Sequence, residues 1–366
     1  MPTAKIGTVP NEKVTYLPNP TNYRTDQWSL GYQWRGEKSR YSVSYAGSSF
    51  TDAYDAVYFQ PAFSTSATQG AMQSISTAPS NTFNQLNASA GYDLTKQTKL
   101  TGNVSYGVGL QNQAFNADTY SALYAGSGSY AGPTSLNGRV NNTHMDVKLT
   151  DQYSANLTLT ATLRYDERLN KTASNAYKFY GIDVSSTHIY NYPNAPFSNR
   201  KNQMEFSGDY KLSSDQKVRV SVGHENYSRW CENYGIAANC TVASGHGEDK
   251  LEATFRQKLS TDSDIRFGYA YSDRKTNSNV NAVTNMIGLN GNILLGAGTY
   301  PSGVTSSNAT PGLNGGDYQG FYPYFSASRR QDAWKLGSTT QLDEQWAIGV
   351  SGKFGYDRYE IGRAHV

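Results

Sequence analysis

Residues 157–168 read LTLTATLRYDER. Leu157, Leu159, Ala161, Leu163 and Tyr165 take every second place, with Thr158, Thr160, Thr162, Arg164 and Asp166 between them. Side chains alternate faces along a strand, so this pattern predicts a β-strand with one apolar and one wet face. The same period recurs in pairs. Residues 28–34 lead through GEKS to 41–45, and residues 86–94 lead through TKQT to 100–110. Residues 145–149 lead through TDQYSA to 157–165, and residues 204–212 lead through SSDQ to 218–222. Residues 251–255 lead through STDSD to 265–271, and residues 334–342 lead through DEQ to 346–356. This count predicts about twelve strands in six hairpins.

The connections alternate in length. Short turns carry Asp, Ser, Lys, Gln and Gly, the residues of tight bends. Between hairpins lie polar stretches, the first at about 50–82 and 111–139 and the longest, rich in Gly and Asn, at 276–322. These stretches run to roughly 25–55 residues, far beyond ordinary connections in compact domains. An outer-membrane barrel combines short periplasmic turns with long external loops. The predicted fold is therefore an all-β, transmembrane, antiparallel up-and-down β-barrel, with about twelve strands of a larger barrel present. Aromatics near strand ends (Trp28, Trp34, Tyr45, Tyr92, Tyr165, Tyr210, Tyr271, Trp346, Tyr356) suit the interfacial girdles of such barrels. Leu157, Leu159 and Leu163 are expected to face lipid.

The wet faces carry many charges. They include Glu205, Asp209, Lys211, Arg219, Lys250, Glu252, Arg256, Lys258 and Arg266. A soluble sandwich would turn these outward and bury the apolar face in a shared core. A membrane barrel inverts the arrangement. These nine residues are the candidate lumen surface.

Composition agrees with a large β structure. Hydrophobic residues are 37% and charged residues 17%, while Tyr (29) and Gly (34) are abundant. Disorder would deplete the aromatics. The net charge of +3 and the lack of a basic tract argue against a nucleic-acid partner. No run approaches a spanning helix, although a spanning strand needs only about 9–11 residues. Met1-Pro2-Thr3-Ala4-Lys5 lacks the apolar core of a secretory leader, and residues 361–366 read like a translated sequencing adapter. Residues 1–359 are expected to form part of one barrel domain. Residues 360–366 are expected to be a non-native tail, and the chain a fragment.

Candidate chemistry is sparse. Cys231 and Cys240 lie in a predicted external loop, where a disulfide or two free thiols would both be compatible with the spacing. Without Cys-x-x-Cys-His, the chain attaches no c-type haem itself. His246, near a strand start, reads as a solvated side chain. Neither a nucleophile motif, a zinc-protease motif nor a P-loop is present. Asp166 and Glu167, beside Arg164 and Arg168, read as a salt-bridge cluster at a barrel rim and not as an acid/base pair. The chain is not expected to be an enzyme.

Several segments, in order, resemble the MtrB/PioB family of decahaem-associated outer-membrane β-barrel proteins. They are PNPTNYRTDQWSLGYQWRGEKSRYSVSYAGSSF, SLNGRVNNTHMDVKLT, the signature Tyr165-Asp166-Glu167-Arg168 with Asn170 and Thr172, FGYAYSDRK with Arg274, and YFSASRRQDAWKLG with Arg329 and Arg330. The resemblance covers nearly all of residues 15–359. It implies an insulating sleeve in the bacterial outer membrane around a periplasmic multihaem c-type cytochrome, with the haem on the partner. It implies electron transfer across the membrane to or from minerals or an extracellular multihaem cytochrome. A plain diffusion porin or transporter is the competing expectation. An enzyme barrel would need a catalytic set that the sequence does not assemble.

Overall fold

The structure, a computed structural model, describes residues 17–59, 73–115, 133–180, 189–194, 196–231, 245–276 and 328–360. Sixteen strands follow one another among these residues. Twelve form one antiparallel sheet: β1 (Tyr23–Arg35), β2 (Ser39–Asp52), β5 (Asn81–Asp93), β6 (Thr98–Gln111), β7 (Gly138–Asp151), β8 (Leu157–Asn170), β11 (Phe197–Lys211), β12 (Gln216–Cys231), β13 (Gly245–Lys258), β14 (Ser263–Thr276), β15 (Ser328–Gln341) and β16 (Ala347–Glu360). Each pairs with its neighbours in chain order. Two small hairpins, β3 (Ala56–Phe59) with β4 (Gln73–Ser76) and β9 (Ala176–Tyr180) with β10 (Ile189–Pro193), lie within the predicted long stretches.

The tight turns form for local reasons. In the 94–97 turn, Thr95 Oγ1 accepts hydrogen bonds from the Gln97 and Thr98 amides. In the 342–346 turn, Asp343 Oδ1 accepts from the Gln345 and Trp346 amides. Short polar side chains thereby hold the bend that joins consecutive strands.

No second layer covers this sheet among the described residues. Val220 is 45% exposed, Phe267 50%, Leu30 79% and Phe354 67%, and Ala333 is the one buried hydrophobic residue there. A sandwich would have packed Val220 and Phe267 against a facing sheet. Here the apolar face stands bare, which water does not tolerate over so many strands and acyl chains do. The fold is a transmembrane antiparallel up-and-down β-barrel, with apolar side chains toward lipid and charged ones toward the bore.

The apolar band covers only part of each strand. On β16 it runs through Ile348, Val350, Gly352, Phe354 and Tyr356, then gives way to Arg358. Nine residues span about 27 Å along a strand, or about 20 Å of membrane after the usual barrel tilt. On β11 the outward series passes from Tyr210, Gly208, Phe206 and Met204 to Asn202 and Arg200. The band also crosses the register: Phe206 pairs with Val222, Val222 with Leu251, Leu251 with Tyr271 and Tyr271 with Asp332. This stagger is what tilted strands in a barrel require.

Two expectations need correction. Tyr45, Tyr165 and Tyr271 mark the edge of the apolar band, not the strand ends, because the strands continue beyond it with polar residues on both faces. For the same reason β12 runs to Cys231 and β13 begins at Gly245, leaving a shorter connection than predicted. Cys240, the 277–327 stretch and residues 361–366 lie outside the described residues.

Candidate docking surface in the bore

The bore side of β11–β15 is a lattice of ion pairs created by register. Asp209 lies opposite Arg219, and its carboxylate receives Arg219 Nη1 at 2.9 Å and Lys217 Nζ at 3.0 Å. Arg219 Nη2 also reaches Glu205 Oε1 at 3.3 Å and donates to Ser207 Oγ at 3.0 Å. Asp264 accepts Arg256 Nη2 at 2.9 Å and Arg266 Nε at 3.0 Å. Glu252 accepts Lys335 Nζ at 2.9 Å. Eight of the nine predicted lumen residues, all but Glu252's neighbour Lys250, therefore sit on the short-turn or middle part of this wall. Lys211 and Lys258 join no ion pair there.

Lys250 belongs to a second cluster, nearer the long loops. Its ammonium lies 3.2 Å from Glu225 Oε2 and 3.5 Å from Glu248 Oε2. Arg329 Nη2 is 2.8 Å from Glu248 Oε1, and Gln203 Nε2 donates to Glu225 Oε2 at 2.7 Å. His246 corrects the sequence reading. Its side chain is only 15% exposed, stacks on Tyr227 at 5.1 Å between ring centroids, and places Nε2 3.5 Å from Glu225 Oε1. Glu225, His246 and Glu248 present ligating atoms within 4.8 Å of one another. Protein cations already neutralise both carboxylates, so the arrangement is a salt-bridge network that clamps β12, β13 and β15.

The Tyr-Asp-Glu-Arg signature does not converge on one site. Strand alternation separates it. Asp166 accepts His144 Nδ1 at 2.6 Å on the bore side, where Arg164 Nε also meets Asp146 Oδ2 at 3.0 Å. Glu167 faces the other way and binds Arg200 Nη2 at 2.6 Å. Arg200 lies over the rings of Tyr165 and Trp230, at 5.9 and 5.2 Å from their centroids. Arg168 Nη1 donates to the Phe197 carbonyl at 3.1 Å. Asn170 Oδ1 accepts the Thr172 amide at 3.1 Å, and buried Thr172 accepts the Arg139 amide through Oγ1, also at 3.1 Å. The signature therefore ties β8 to β7 and β11 and closes the strand end. The expected cluster of Asp166 and Glu167 with Arg164 and Arg168 does not form: the two carboxylates face opposite sides of the wall and pair with His144 and Arg200 of neighbouring strands.

The chain, a tilted barrel wall with a charged bore, matches the family described as outer membrane beta-barrel porin, MtrB/PioB, over residues 3–364. It belongs to that family. Outer membrane protein MtrB of Shewanella baltica (strain OS185) is 24% identical over 208 residues, covering 55% of this chain and 28% of the relative. The chain thus spans under a third of that protein. Among solved structures, the Pseudomonas aeruginosa ferric enterobactin receptor PfeA in complex with BCV-L6 aligns with a TM-score of 0.51 at 12% identity. That alignment covers 94% of this chain and 52% of the receptor. Its Q482A mutant with enterobactin gives 0.51 at 11% identity, covering 89% and 50%. These likenesses concern the barrel fold alone. This MtrB/PioB protein is an outer-membrane protein, and its family is porin-like.

Proposed function

We propose that this barrel sheathes a periplasmic multihaem c-type cytochrome and so carries electrons across the outer membrane. The observation that supports the reading is the in-register, mixed-charge bore wall, from Asp209–Arg219 to Glu252–Lys335, behind a face built for lipid. A cytochrome's polar surface finds no hydrogen-bond partners in acyl chains, so crossing the membrane requires a hydrophilic sleeve. Many weak complementary charges favour correct docking and rapid encounter more than tight affinity. The haem resides on the partner, and an extracellular multihaem cytochrome meets the long-loop end in the same proposal. The chain's own residues insulate and dock; they perform no bond chemistry.

The family description as a porin favours a second reading, passive solute diffusion. Purification of the full-length protein from native outer membranes, with haem staining of the complex, separates the two. A stoichiometric haem band is the expected result. A haem-free barrel that swells liposomes in sugar solutions would establish the porin instead.

A further inference from the structure

The short-turn end of the bore sets cations side by side. At the short-turn end, Lys211 of β11 pairs in register with Lys217 of β12, Lys217 with Arg256 of β13, and Arg256 with Arg266 of β14. Four cations thus stand side by side across four adjacent strands. Like charges directly opposite each other destabilise a sheet. Two carboxylates, Asp209 and Asp264, relieve part of this, each holding two cations. Lys211 is left over. So is exposed Lys258, next to the β13–β14 turn, which has no ion-pair partner among the described residues. At the long-loop end Lys250 and Arg329 are held by Glu225 and Glu248.

We propose that the short-turn mouth is a cationic collar that docks an acidic protein surface entering from the periplasm. The proposal rests on the sheath reading and deepens it: the face of the cytochrome that passes this mouth carries the carboxylates. Several features favour an extended surface over a small anion. Four strands set about 4.8 Å apart spread the row over about 14 Å. The leftover ammonium groups are exposed and distributed along the wall, whereas a small anion needs donors converging on one point. Lipid phosphates lie on the other side of the wall, because the row's outward neighbours are Tyr210, Val218, Phe255 and Phe267. An acidic surface would remove the repulsion that the empty row retains, so docking gains where folding loses.

The test uses the full chain in native outer membranes, with Lys211→Glu and Lys258→Glu combined. Neither side chain holds an ion pair among the described residues, so assembly should survive; resistance of the barrel to protease verifies it. Co-purified haem is expected to fall about tenfold at low salt in the double variant. Raising salt should release the partner from the parent, since screening acts on such exposed charges. Undiminished haem on the double variant would overturn the collar and leave the sheath standing. A parent barrel that carries no haem would overturn the sheath, and the collar with it. A separate readout needs no partner: in a planar bilayer under a KCl gradient, the parent's reversal potential should show anion preference and the variant's should move toward cations. An unmoved reversal potential would show that these lysines do not face the bore.

Discussion

The short-turn and long-loop halves of the β11–β16 wall share strands but not surroundings. In the short-turn half, Val220, Phe255 and Phe267 point outward and Arg219, Arg256 and Arg266 point inward. In the long-loop half both faces are polar. His224 meets Asp249 at 2.7 Å outside, while Glu248 meets Arg329 at 2.8 Å inside. The contrast teaches that the hydrogen-bonded ladder and the membrane span are different lengths. The ladder continues where the lipid stops, and side-chain pairs replace the solvent it displaces.

The sharpest way to break this comparison is to place the same charge in each half. Val220→Arg, in the lipid band, should cost about 2–4 kcal/mol, and His224→Arg, beyond it, about 0–1 kcal/mol. Urea unfolding from lipid vesicles measures both, and equal costs would remove the distinction between halves. Next in size is Glu248→Gln. The Glu248 carboxylate is 6% exposed and serves Arg329, itself 19% exposed. Removing the anion should cost about 1–3 kcal/mol by leaving a poorly solvated guanidinium with only the more distant Asp357, 4.0 Å away, as counterion; restoration of stability by Glu248→Asp would tie the loss to charge.

Gly47→Val probes the girdle. A Cβ at Gly47 would lie 2.3 Å from the Trp28 indole, which packs across the cross-strand glycine. The crowding should cost about 1–2 kcal/mol and lower the intensity or shift the wavelength of tryptophan emission. Gly352→Ala, with nothing within 4 Å, is the control and should change neither. The smallest effect is expected at Arg24–Asp26, an exposed pair at 2.9 Å; Asp26→Ala should change unfolding free energy by less than about 0.5 kcal/mol.

All twelve sheet strands were legible because lipid on one side and water on the other impose a period of two. Their ends were not, because beyond the band Arg200, Asn202, His224 and Asn226 break the contrast that made the pattern visible. β3–β4 and β9–β10 escaped notice for a related reason: AVYF, QSIS, AYKFY and IYNYP are short and lack a sustained apolar alternation. The charged bore residues were legible one strand at a time. Their partners were not, since Asp209–Lys217 and Glu252–Lys335 depend on register that no single strand encodes. His246 could have been suspected only from Tyr227 and Glu225 on the preceding strand, counted back across the loop. The cationic row was invisible for the same reason, being one residue from each of four strands.

The central claim is that alternate residues of one strand see lipid and an aqueous bore. Nitroxide labels at single cysteines from position 218 to 222, with Cys231 and Cys240 replaced by Ser and the protein in lipid vesicles, test it directly. Labels at positions 218, 220 and 222 should collide with dissolved oxygen and be shielded from a water-soluble nickel chelate, while labels at 219 and 221 should do the reverse. If the labels at 218, 220 and 222 are immobile and shielded from both reagents, these valines pack inside a protein core and the barrel account is wrong.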